Sequence, residues 1–140
     1  MKDHLIFAFT GTRAGLTEQQ LDRLTWLLIF GNVWSRPSTR NASALVHGGA
    51  RGADTTMDRL ARRLLIPTRV IRPTAARGPL LRNRDIVARG EVLLAAPRYE
   101  FEEDRSGTWA TVRLARKQQM PVVIVWPNGR MARERCLGTV

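Results

Sequence analysis

Short apolar runs that alternate with stretches of helical period constrain this chain more than any other feature. The runs are Leu5–Phe9, Ala44–His47, Thr68–Ile71, Glu91–Ala95 and Val122–Trp126. They are largely continuous in apolar character, as strands covered on both faces are, where a strand with one wet face would alternate. Between them, Leu21, Leu24, Leu27 and Leu28 fall on one face of a helix that starts near Thr17, where Thr17 and Gln20 form a capping box. Met57, Leu60, Ala61, Leu64 and Leu65 mark the inner face of a second helix, ended by Pro67. A short third helix spans about Leu80–Arg89 and a fourth about Thr108–Gln119. Gly31–Ser43 and Arg72–Pro79 carry prolines and read as loops. The alternation predicts an α/β fold: a Rossmann-like, doubly wound parallel sheet of five strands in an order near 3-2-1-4-5. Right-handed crossovers would place helices on both faces. Residues 127–140 show no clear period and read as a short helix or a disordered arm beyond a single-domain core of about 5–126.

The bulk composition narrows the class. A chain of 140 residues has the size of one domain, and a hydrophobic content of 44% supplies a core. No apolar run approaches the roughly 18 residues that a membrane span needs. The first run is also too short for a signal peptide. A soluble, cytoplasmic protein without a membrane partner is expected. The single cysteine, Cys136, has no internal disulfide partner and no ligand cluster around it, so no metal is expected. The net charge of +11 favours phosphate-bearing partners. The arginines are scattered, however, among them Arg23, Arg36, Arg40, Arg59, Arg62, Arg63, Arg89, Arg116, Arg133 and Arg135. A plain compositional bias would produce the same scatter.

Open parallel sheets bind ligands beyond the carboxyl ends of their strands, and the informative residues sit there. Gly11, Thr12 and Arg13 follow the first strand; Gly48, Gly49, Ala50, Arg51, Gly52 and Asp54 follow the second; Ser106, Gly107 and Thr108 precede the fourth helix. Such small-residue turns let a phosphate approach the backbone N–H groups of a helix N-terminus. Asp54 is placed to accept from a ribose hydroxyl, or simply to favour the helix N-terminus. Arg82 and Asn83 would meet phosphate or base, or lie on a solvated face. Ser106 and Thr108 would donate hydroxyls to phosphate, or cap the helix. His47 reads as a packed, hydrogen-bonded residue.

The Gly11-Thr12-Arg13 turn, the stretch His47-Gly48-Gly49-Ala50-Arg51-Gly52-Ala53-Asp54, the Arg82-Asn83 pair and Ser106-Gly107-Thr108 together resemble the SLOG superfamily, in particular its small stand-alone branch. The pieces occur in the family's order over residues 5 to about 126, and His47 to Asp54 is the most specific of them. The resemblance implies a Rossmann-like fold and a site for nucleotides or their derivatives. The family's relatives include phosphoribohydrolases, a DNA-processing protein that holds single strands, and sensors of NAD-derived signals. In the phosphoribohydrolases a Pro-Gly-Gly-x-Gly-Thr-x-x-Glu motif carries the catalytic acid/base. Thr111 stands at that Glu position here and Arg105 replaces the first glycine, which disfavours that hydrolysis. Asp54, Asp85 and Glu102-Glu103-Asp104 are the remaining carboxylates near these turns, the last three most simply a solvated loop. The expectation is a binding module or sensor for a nucleotide-type ligand, which needs no cofactor beyond that bound nucleotide. The alternatives are a hydrolase of an N-glycosidic bond and weak, salt-sensitive binding of single-stranded nucleic acid with Trp34 or Tyr99 as stacking platforms. A helix face of Trp109, Ala110 and Val112 suggests a homodimer.

Overall fold

In the computed structural model, which describes residues 5–30 and 42–134, strands and helices follow one another strictly. They are β1 (Ile6–Gly11), α1 (Glu18–Phe30), β2 (Ala44–His47), α2 (Ala53–Arg63), β3 (Thr68–Val70), α3 (Pro79–Arg89), β4 (Val92–Ala96), α4 (Gly107–Lys117), β5 (Val122–Val125) and β6 (Met131–Glu134). The sheet order is β3-β2-β1-β4-β5-β6. The first five strands pair in parallel, with β1 in register with β4 from Phe7↔Val92 to Gly11↔Ala96. This is a Rossmann-like doubly wound α/β fold, and its winding reverses between β1 and β4. Trp34, Arg36, Arg40, Arg135 and Cys136 lie outside the described residues. Among the described residues, no helix is long and apolar enough to cross a membrane.

The pleat explains the continuous apolar runs. Phe7, Phe9, Leu45, Leu94, Val123 and Val125 meet Leu24, Leu27 and Leu28 of α1 and Met57 and Ala61 of α2 on one face. Their neighbours Ala8, Val46, Leu93, Ala95, Val122 and Ile124 meet Ile86 and Val87 of α3 and Trp109, Val112 and Ala115 of α4 on the other. Each large side chain fully buried in these two layers contributes about 1.5–3 kcal/mol relative to exposure. Trp109 and Val112 are therefore engaged in the protein's own core, and of the face suggested for a homodimer only Ala110 is exposed.

The capping box forms as read: the Thr17 N–H donates to Gln20 Oε1 at 3.0 Å and the Gln20 N–H donates to Thr17 Oγ1 at 3.0 Å. Gln20 also donates Nε2–H to the carbonyls of Pro97 and Val125 at 2.9 and 3.0 Å, tying α1 to the ends of β4 and β5.

Two expectations are corrected. The stretch after Pro127 is neither helix nor arm over its first part but the edge strand β6, antiparallel to β5. Gly129, at φ 86°, closes the tight turn between them. Arg116 then holds Glu134 through two hydrogen bonds of 2.8 Å. The second correction is that α2 ends at Arg63, before Pro67 stops it. Leu65, expected on the inner face, is 90% exposed and left-handed at φ 59°. The N–H groups of Leu65 and Ile66 return to the carbonyls of Arg62 and Ala61, which closes a Schellman motif and gives the inner place to Ile66.

Candidate functional site

The reversal between β1 and β4 leaves a polar cleft of about 400 Å³ at the carboxyl edge of the sheet. The β1–α1 turn (Thr10 to Ala14), Gly48, Ala50 and Asp54 form one wall, and Arg82, Asn83 and Ile86 of α3 a second. Arg98, Glu103 and Arg105 from the β4–α4 loop, with Ser106, Gly107, Thr108 and Thr111 of α4, close it. The cleft thus brings together Gly11, Thr12, Arg13, Gly48, Ala50, Asp54, Arg82, Asn83, Ser106, Gly107 and Thr108.

Gly49, Arg51 and Gly52 do not line it. Gly52, at φ 85°, lies so close to the β1–α1 turn that a Cβ would collide with the Arg13 carbonyl, while the adjacent Ala53 N–H donates to Thr12 O at 3.0 Å. The close approach that the sequence suggests for a ligand is used to splice two turns of the protein. Gly49, at φ 70°, packs against Val70 and Arg72. Arg51 is exposed at the turn's tip.

The walls are held from beneath. Buried His47 accepts the Gly49 N–H on Nδ1 at 3.0 Å, so its proton sits on Nε2 and is donated to Asp58 Oδ1 at 2.8 Å. It is packed and hydrogen-bonded, as the sequence suggests. Burial pushes the Asp58 carboxyl up, yet hydrogen bonds from Arg62 and His47 hold it down at about 2. Arg82 crosses from α3 to donate Nη1–H to Gly48 O at 3.0 Å and Nε–H to Asn83 Oδ1 at 2.9 Å. Burial pulls its guanidinium below the usual range, a loss that the Asp54 charge offsets in part. Asn83 thereby accepts on its side-chain carbonyl, and its amide N–H groups are in the cleft lining.

Asp54 is 6% exposed. Its Oδ2 accepts the Ala50 N–H at 3.1 Å, and its Oδ1 is buried without a hydrogen-bond partner. Burial raises this carboxyl, and the Ala50 N–H, the neighbouring His47 and Arg82, and the Gly48 backbone lower it only in part.

Ser106 caps α4, its Oγ accepting the Trp109 N–H at 3.3 Å. The preceding N–H groups of the first turn have no acceptor within the helix. A Cβ on Gly107 would meet nothing within 4 Å and its φ is not left-handed, so neither packing nor backbone demands a glycine there. Thr111 is buried and donates its hydroxyl to Gly107 O at 3.0 Å; this neutral, committed group cannot transfer protons near neutral pH.

Sequence reasoning missed Arg98 as a site residue, weighed Arg105 only as a departure, and weighed Glu103 only as a loop carboxylate that could stand in for the missing Glu. The available signal was position, because Arg98 follows β4 as closely as Arg13 follows β1. Glu102 is exposed, as a loop acid would be, and is also paired, accepting from Arg113 and Arg116 at 2.9 Å each. Asp85 is held by Arg77 and lies outside the cleft. The carboxylates left in the cleft are Asp54 and Glu103, and Arg13, Arg98 and Arg105 at its rim have no carboxylate partner among the described residues.

Fold and cleft together define a class: a Rossmann-like α/β domain with an arginine-rimmed polar cleft at its topological switch point. The chain matches no protein-family model, no curated protein and no solved structure.

Proposed function

We propose that the cleft binds a phosphate-bearing, nucleotide-type small molecule and that the protein is a binding module or sensor for it. The observation that carries this reading is the uncovered first turn of α4. Gly107 faces open space there, in the cleft whose rim includes Arg98 and Arg105. An anion in that place gains roughly 0.3–1 kcal/mol from the helix dipole, and charge-assisted hydrogen bonds add to it. The volume falls within the range of small-ligand sites. The SLOG-like motifs, several of which line this cleft, support the same reading. Thr111 argues against the hydrolytic alternative by the family's route.

Calorimetry with nucleoside mono- and diphosphates tests it. At least one ligand should bind near micromolar Kd, about −8 kcal/mol. Gly107→Val should weaken that binding about tenfold or more by filling the phosphate position, with stability kept within about 0.5 kcal/mol as for an exposed surface change. Absence of binding across the panel, or binding indifferent to Gly107→Val, would overturn the reading.

A further inference from the structure

We propose that Asp54 makes the cleft selective for ribosyl phosphates, by taking a hydrogen bond from a sugar hydroxyl that 2′- or 3′-deoxy analogues lack. The inference rests on the reading of the cleft as a nucleotide-type site and names the part of the ligand that the phosphate-binding turn does not hold.

Asp54 lines the cleft, is more than nine-tenths buried, and has one oxygen satisfied and one not. Buried acceptors without partners are rare because desolvation is then uncompensated. The role of a favourable acid in the first turn of α2 accounts for the charge and for the Ala50 contact. It leaves Oδ1 unexplained. The neighbouring guanidinium of Arg82 has two of its donor groups committed to Gly48 O and Asn83 Oδ1. A ligand donor therefore completes Asp54, and a phosphate, acceptor only when ionised, cannot supply it. A sugar hydroxyl attached to that phosphate can. A site built around a buried acceptor rejects a ligand that lacks the matching donor far more strongly than a merely hydrophobic pocket rejects a change of shape.

The burial of Asp54 carries a cost that is consistent with this assignment. Burial pushes its carboxyl up, so holding it ionised works against the fold. Asp54→Asn retains an oxygen for the Ala50 N–H and turns an amide donor toward the position of Oδ1. A residue kept for packing alone would lose stability on this change. One kept for a ligand should lose recognition and keep or gain stability.

The test uses calorimetry of the full chain with ribose 5-phosphate and AMP against 2-deoxyribose 5-phosphate, 2′-deoxy-AMP and 3′-deoxy-AMP, with IMP as the control for the base amine. In the wild-type protein one deoxy analogue should bind about tenfold or more weakly than its parent. In Asp54→Asn that ratio should collapse toward one, with a melting temperature equal to or above wild type. Ribo and deoxy ligands binding equally well would overturn the role of Asp54 and leave the nucleotide-type reading standing. So would discrimination that survives in Asp54→Asn, or a loss that follows the base amine in IMP. Failure of every ligand to bind would overturn both.

Discussion

Two aspartates one helical turn apart respond to pH in opposite directions. Asp58 is held at about 2, below its usual 3.8, by Arg62 and His47 against the upward push of burial. Its contribution is present above the usual value and lost as the pH falls toward 2. Asp58→Ala should cost about 1–3 kcal/mol near neutral pH, because it strips a partner from buried His47. The difference from wild type, followed by thermal or urea denaturation, should shrink below about pH 4 as the wild-type carboxyl takes up its proton. Asp54 has the other sign. Its folded value lies above 3.8, so its ionised form opposes folding at neutral pH and protonation relieves that cost. The stability gained by Asp54→Asn should therefore be largest near neutral pH and fade on acidification. A gain that grew as the pH fell would contradict the assigned burial.

The end of α2 is a place where a local rule is broken. Leu65 takes a left-handed backbone that costs a non-glycine residue about 1–2 kcal/mol, and its side chain gains nothing in return at 90% exposure. Leu65→Asn should stabilise the protein by about 0.5–1 kcal/mol, read as a rise in melting temperature without change in ligand affinity. Leu65 also shows why the sequence overran this helix: the spacing of Leu60, Ala61, Leu64 and Leu65 continues the apolar period two residues past Arg63, up to the point where the backbone reverses. β1 to β5 and the four helices were legible to within a residue or two; β4 and β5, buried along their whole length, had little freedom to be anything else, while the partly exposed β3 was bounded by Pro67 and Pro73. β6 was not legible. Met131-Ala132-Arg133-Glu134 has no strand-like composition, and it becomes a strand because β5 offers an open edge and Gly129 turns the chain back to it. Most of the candidate site was legible from glycines after strands. The glycines that lie outside the cleft lining, Gly49 and Gly52, serve a left-handed turn and a backbone splice, and no sequence signal separates a glycine that admits a ligand from one that admits another loop.

Across the whole molecule, the net charge of +11 is not evenly available. Arg62, Arg77, Arg113 and Arg116 are paired with carboxylates on the helix surfaces, and the cleft rim is left with Arg13, Arg98 and Arg105 unpaired among the described residues. Tyr99 and Phe101 stack on each other at 5.3 Å just beyond it, both exposed. A single-stranded oligonucleotide should therefore bind weakly, with a log–log salt slope of about −2 for three phosphates contacted. Fluorescence titration at low and near-physiological salt measures this, and tight binding that survives the higher salt but is lost in Tyr99→Ala would favour a nucleic-acid partner. The topological switch has a consequence for rates. The cleft is lined from β1 and its following turn, from Gly48, Ala50 and Asp54, from α3, and from the β4–α4 loop with α4, and the Thr12 N–H bonds across the β1–β4 seam to Ala96 O at 3.0 Å. A ligand there can only be grasped by a chain in which β1 and β4 have already paired and both helical layers are in place. At a hundred times its Kd it should add about 2.7 kcal/mol to stability, and stopped-flow mixing should find nearly all of it as slower unfolding, with the refolding arm unmoved. Acceleration of refolding instead would place the seam among the first contacts to form.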